Sequence, residues 1–127
     1  MSTLVKDFMK QPVTSLALPN DVGTARDLMH RKSCHAIPLV EVSDSKEIQI
    51  RGMVTSDDLV GVYDDTIDIQ QVMSTEVLSI APQSSAQEAA KKMLDHELHH
   101  LLVMDNGRIV GMISSLDFVT LIAKNGI

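Results

Sequence analysis

Aromatic side chains are nearly missing from this sequence. Its 127 residues include only Phe8, Tyr63 and Phe118, and no Trp. A stacking platform for nucleic-acid bases is therefore excluded, and the core has to be aliphatic. Cysteine is reduced to Cys34 alone, which excludes an internal disulfide and fits a reducing compartment. No basic run occurs, and the net charge is −6. Residues 1–68 hold seven Lys or Arg against eleven Asp or Glu, and residues 69–127 hold four against six. Neither half is suited to a phosphate backbone or an anionic membrane surface. No apolar stretch reaches the length of a membrane span, and the first residues lack the apolar run of a secretory signal. These absences together predict a soluble cytoplasmic protein.

What the sequence does contain is a repeat. Hydrophobic residues make up 44% of the chain, with eight Met as adaptable filler. Met9, Val13, Ala25, Met29 and His35 recur 64 positions later as Met73, Val77, Ala89, Met93 and His99. Gly52-Met-Val-Thr-Ser-Asp-Asp-Leu59 recurs as Gly111-Met-Ile-Ser-Ser-Leu-Asp-Phe118, now 59 positions on. An insertion around Ser43–Glu47 in the first copy accounts for the difference. An ordered set of matches at fixed spacing identifies a duplication.

Each copy shows the same local pattern. A helical turn (Val5–Met9; Ile69–Met73) leads into a short extended piece (Thr14–Ala17; Leu78–Ala81). Pro19-Asn20-Asp21 and Pro82-Gln83-Ser84 read as helix starts with polar caps. Ala86, Ala89, Ala90, Met93 and Leu94 then form an apolar stripe at a 3.6-residue period. Two strands follow in each copy: Ala36–Val40 with Ile48–Val54, and Leu101–Met104 with Arg108–Ile113. Asp105-Asn106-Gly107 carries the Asn-Gly hairpin signal. Pro38 lacks a ladder donor, which favours an edge strand. Closing helices are expected over Ser56–Tyr63 and Ser115–Lys124, with a linker at about 63–67. The fold class is α+β: two β-α-β-β-α repeats, 4–60 and 68–125. Neither copy buries much surface alone, so the two are expected to pack as one pseudo-twofold module.

With Gly-h-h-(Ser/Thr)-x-x-Asp opening each last helix, where h is an apolar residue, this order resembles a tandem pair of CBS (cystathionine beta-synthase) domains, or Bateman module. The Lys6-Asp-Phe-Met9 turn and the His35-Ala-Ile-Pro-Leu-Val40 strand belong to the same likeness, which covers nearly the whole chain. The resemblance implies a regulatory module without catalysis or a required cofactor. It would bind adenosine-containing ligands (AMP, ADP, ATP or S-adenosylmethionine) in two clefts between the repeats. It also implies a homodimer and a regulated protein partner that the sequence does not name. Ala36, where relatives often carry Arg, and the Ser43–Glu47 insertion set the first copy apart.

On this resemblance Asp58 and Asp117 take the ribose, and Thr55 and Ser114 a phosphate. The physical basis is a helix start, which presents free N–H groups to an anion. The competing reading is a capping box, since Thr-x-x-Asp and Ser-x-x-Asp are near versions of that motif. The adenine would lie against Thr14, Leu16, Ala36, Ile37 and Pro38 in one copy and Leu78, His100 and Leu101 in the other. Ser15, Ser79, Ile80 and Leu102 belong to the same stretches, and Val54 and Ile113 help line the clefts. Each of these also fits ordinary sheet core. His35 and His99, just before matching strands, could donate to a phosphate or simply be surface histidines. Arg51 and Arg108, which precede the motif glycines, are second-line phosphate candidates.

Other chemistry has weaker support. His96-Glu-Leu-His-His100 spells His-Glu-x-x-His, but zinc chemistry needs that motif on a continuous helix. The repeat register ends the helix near Glu97. No nucleotide-hydrolase loop occurs, and Cys34 has no thiol partner. The second reading that remains is a structural or interaction module with no physiological nucleotide.

Overall fold

The computed structural model describes residues 3–126. The chain divides into two compact units that do not coincide with the sequence repeats. One is Thr14–Val77; the other joins Met1–Val13 to Leu78–Ile127. The turn that opens each repeat is thus built into the unit formed by the other repeat.

The Thr14–Val77 unit contains β1 (Leu16–Ala17), α2 (Val22–Lys32), β2 (Ala36–Val42) and β3 (Ile48–Thr55). The sheet order is β1-β2-β3, with β1 parallel to β2 and β3 antiparallel. Asp21 caps α2 by accepting from Thr24 N–H (2.8 Å) and Thr24 Oγ1 (2.7 Å). The helix ends at Ser33 in the left-handed region. Val22, Ala25 and Met29 turn inward and form a core with Ile37, Leu39, Val54, Leu59 and Ile69. Full burial of a Val, Leu, Ile or Met side chain contributes about 1.5–3 kcal/mol.

The second unit is built the same way. It holds α1 (Val5–Phe8), β4 (Ser79–Ile80), α3 (Ala86–His96), β5 (His100–Asp105), β6 (Arg108–Ser114) and α4 (Ser115–Asn125). The sheet order is β4-β5-β6. Ser85 and Glu88 close a reciprocal capping box on α3, which ends at Glu97 with φ 54°. The expected hairpin turn forms, with Asn106 and Gly107 both at positive φ, as an Asn-Gly turn requires. The core gathers Val5, Ala89, Met93, Leu101, Val103 and Ile113. Phe8 and Phe118 meet edge to face at 5.1 Å and pin α1 to α4.

Two expectations are corrected. Ser56–Tyr63 does not form a closing helix; only a 3₁₀ turn, Asp57–Leu59, is present. Val60, Val62 and a left-handed Gly61 follow it, and these residues disfavour helix. Arg26 instead takes the Leu59 and Val62 carbonyls and pairs with Asp65. Pro38, expected at an edge, lies in the central strand β2. The reason is the shortness of β1, which pairs β2 only at Leu39 and Val40. In the other unit Leu102 N–H, at the place matching Pro38, donates to Leu78. Proline at this site forgoes only that one bond at the margin of the sheet.

A strap crosses each motif. Lys10 exchanges both backbone hydrogen bonds with Met112 (2.9 and 3.0 Å), and Ser74 does the same with Met53 (2.9 and 2.8 Å). The strap runs so close that a Cβ on Gly111 would meet Met9 Sδ at 2.5 Å. A Cβ on Gly52 would meet Met73 Sδ and the Ser74 carbonyl, each at 2.7 Å. Gly52→Ala and Gly111→Ala should each destabilise by about 1–3 kcal/mol in urea unfolding. The Gly52 change should be the costlier, because a backbone carbonyl yields less readily than a thioether.

The Thr24 hydroxyl, then the Thr24 N–H, holds the Asp21 carboxyl below its ordinary pKa of 3.8. A carboxyl depressed in the folded state stabilises above its unfolded pKa and loses that contribution as pH falls through the folded value. Asp21→Ala should therefore lower Tm at neutral pH, and the difference should narrow as pH falls through the carboxyl's depressed titration.

Candidate functional site

The two motif turns have the same construction. In the Thr14–Val77 unit Asp58 Oδ2 accepts from Thr55 N–H (2.9 Å) and Thr55 Oγ1 (3.0 Å), and Asp58 N–H points back to Thr55 Oγ1 (3.3 Å). In the other unit Asp117 Oδ2 accepts from Ser114 N–H (2.8 Å), and Asp117 N–H reaches Ser114 Oγ (3.4 Å). Both are capping boxes, so the carboxylates have a structural role before any ligand is considered. In each box the cap uses Oδ2, and at Asp117 the other oxygen, Oδ1, faces Lys10 Nζ.

The turns differ in what they open. Ser114 begins an eleven-residue α-helix, whereas Thr55 precedes a three-residue 3₁₀ turn. Only the first has aligned peptide dipoles of useful length. A long helix start therefore stands at Ser114, and a short turn at Thr55.

The histidines are stitched to these turns. The carbonyl of His35 accepts from Ser56 N–H (2.9 Å), and that of His99 from Ser115 N–H (3.0 Å). His99 Nδ1 also lies 3.5 Å from Ser115 Oγ. Both side chains are exposed. Each unit thus brings a histidine backbone to a hydroxyl and a carboxylate 15 to 23 positions further along the sequence, and at His99 the imidazole also reaches a turn hydroxyl.

The adenine candidates sort into two groups. Ile37 and Leu101 are fully buried members of the two cores, along with Val54 and Ile113, so their side chains serve packing. Leu16 and Leu78 are half-buried and pack against the same cores. Ala36 and Pro38 lie on the opposite face of β2 from Ile37, as His100 does from Leu101 on β5, by the alternation of a strand. Thr14 is half-buried just ahead of β1. Arg51 is engaged by Glu41 (3.4 Å) and Gln49. Arg108 begins β6 opposite Asp105, six residues or about 20 Å of strand from Ser114.

Helix α3 stops at His96, Glu97 is left-handed and His100 starts β5, so the His-Glu-x-x-His letters do not share a helix face. Among the described residues no group of three or more His, Cys, Asp or Glu is placed to hold a metal. No helix among them is long and apolar enough to cross a membrane. Partial burial raises the Cys34 thiol pKa, which lowers its reactivity.

One residue at the site was not evident from sequence. Lys10, on the strap over Gly111, places Nζ 3.6 Å from Asp117 Oδ1. Asp117 is the one charged side chain buried among the described residues. The signal available in sequence was the Met9/Met73 match, with Lys10 and Ser74 next to it; only the strap geometry gives it meaning.

Comparison with known proteins agrees with this construction. The CBS domain profile matches residues 5–65 and 69–124. The CBS domain-containing protein YhcV of Bacillus subtilis is 29% identical over 115 residues, covering 87% of this chain and 79% of YhcV. A homoserine O-acetyltransferase of Methanohalobium evestigatum is 30% identical over 126 residues, but these are 96% of this chain and only 24% of that enzyme. Among solved structures, a putative acetoin utilization protein (AcuB) from Vibrio cholerae superposes with TM-score 0.77 at 27% identity, covering 98% of this chain and 93% of its own. The CBS domain pair of protein MJ0100, in complex with 5′-methylthioadenosine and S-adenosyl-L-methionine, superposes with TM-score 0.82 at 23% identity and 98% coverage of both chains. With two matched copies spanning most of its length, the chain belongs to the CBS domain family.

Proposed function

We propose that this chain is a binding module for adenosine-containing ligands (AMP, ADP, ATP or S-adenosylmethionine), with one site at the motif turn of each repeat. The observation that carries this reading is the duplicated turn. In both copies a carboxylate is fixed by the cap through one oxygen, beside a hydroxyl and a histidine. A carboxylate so held can accept the vicinal hydroxyls of a ribose. The similarity to a CBS pair solved with two adenosyl ligands supports the same class. The module binds and does not transform: the His96–His100 cluster is split between a helix end and a strand. Its output is regulatory, through a ligand that prefers one arrangement of the chain or of its docking to a partner protein.

The proposed assembly is a homodimer. Ala90, Met93, Leu94, Leu98 and Phe118 line an open apolar groove of about 580 Å³ between α3 and α4. Leu94, Leu116, Val119 and Ile122 are exposed beside it. In the other unit Arg26 and His30 occupy the places of Ala90 and Leu94, on a helix face that also carries Asp27 and Arg31. The apolar stripe therefore finds its complement in the same stripe of a second copy, which is the contact a two-fold axis makes.

Titration calorimetry with the four ligands should show saturable binding. Asp58→Asn and Asp117→Asn keep an acceptor for the cap, and each should weaken a different site at least tenfold. Absence of binding at millimolar ligand would instead favour an interaction module without a nucleotide. In light scattering the protein should run as a dimer, and Leu94→Glu with Val119→Glu should return it to the monomer mass.

A further inference from the structure

The two motif turns share a scaffold but not a charge. Both straps are tied to the strand by two backbone hydrogen bonds at the residue after the methionine, Lys10 in one unit and Ser74 in the other. The Asp117 turn thus carries an ammonium 3.6 Å from its carboxylate, and the Asp58 turn carries a neutral hydroxyl at the matching place. The residue before the motif Asp differs in the opposite sense, Leu116 against Asp57. Counting these residues, the Asp117 turn holds one carboxylate and one ammonium, and the Asp58 turn two carboxylates and no cation. The eleven-residue helix behind Ser114 adds positive potential that the 3₁₀ turn behind Thr55 lacks.

From this we infer that Lys10 is a specificity-determining residue: it makes the Asp117 site select a phosphate-bearing adenosine nucleotide, while the Asp58 site takes an adenosyl ligand that is neutral or cationic. The inference rests on the adenosyl reading above and assigns the ligand class of each site. Lys10 suits the role because its backbone is fixed while its side chain is 76% exposed. The ammonium can leave the Asp117 carboxylate to meet an anion without moving the strap. Asp117 is then free to accept ribose hydroxyls while the phosphate takes over the charge pairing. At the Asp58 site the same phosphate would meet the Asp58 carboxylate, with a second carboxylate, the exposed Asp57, next in sequence and no cation on the strap. A sulfonium or an uncharged thioether meets no such repulsion.

AMP and 5′-methylthioadenosine separate the terms, because both contain adenosine and only one carries phosphate. In full-length protein with the Asp58 site disabled by Asp58→Asn, Lys10→Ser installs the residue type that the other strap uses. AMP should then bind about five- to tenfold more weakly, with a shallower salt dependence. 5′-Methylthioadenosine should stay within about twofold. In the Asp117→Asn background Ser74→Lys should strengthen AMP by a similar factor. An unchanged melting temperature would show that the strap still folds. Equal weakening of both ligands, or no effect on AMP, would overturn the assignment of Lys10 and leave the adenosyl reading standing. If the wild-type chain binds none of AMP, ADP, ATP, 5′-methylthioadenosine and S-adenosylmethionine, that reading fails and takes this assignment with it.

Discussion

The close approach of a strap to a glycine is the contact on which each unit depends. Met9-Lys10 lies across Gly111 and Met73-Ser74 across Gly52, with no space for a β-carbon between. This contact ties the opening segment of each repeat to the last strand of the other repeat. It also sets a backbone carbonyl and N–H on either side of Met53 and Met112, so the strand enters the motif turn in a fixed direction. The hydroxyl, the carboxylate and the histidine carbonyl then fall into place by local hydrogen bonds. Glycine opens the motif because of what passes over it, rather than because of its own dihedral freedom.

Capping and binding are compatible readings of the motif aspartate. A carboxylate that stabilises a helix start is already desolvated on one side and held in a single rotamer. Its second oxygen can accept from a ligand with little further loss of freedom. The ordering is done by the fold, which is the condition for selective binding at low cost. Asp117 shows the extreme case: buried, capped through Oδ2 and paired through Oδ1 to a lysine from the far end of the chain.

The divergence of the two copies is concentrated where local sequence weakens a regular element. The second copy keeps helix α4 because Ser114 and Asp117 cap it, Phe118 packs against the core and no glycine intervenes before Gly126. The first copy has Gly61 between two valines, and a 3₁₀ turn results. Arg26 occupies the carbonyls left over, whereas Ala90 in its place leaves a groove. Small substitutions at matched positions have thus made one face polar and the other apolar, and one motif turn acidic and the other neutral.

The sequence pattern determined the repeat, the strands, the hairpin at Asn106-Gly107 and the α2 cap at Asp21, but it put the α3 cap at Pro82-Gln83-Ser84, short of Ser85, and a closing helix at Ser56–Tyr63 where only a 3₁₀ turn forms. Motif spacing determined that Thr55 with Asp58, and Ser114 with Asp117, would be neighbours, since one helical turn separates them. Only the tertiary structure decided that Pro38 sits in a central strand, because that depends on how short its neighbour is. It alone showed that the turn opening each repeat is built into the unit formed by the other repeat and that Lys10 reaches Asp117, 107 positions away. Such contacts are set by the crossing of distant segments, and no local pattern encodes them.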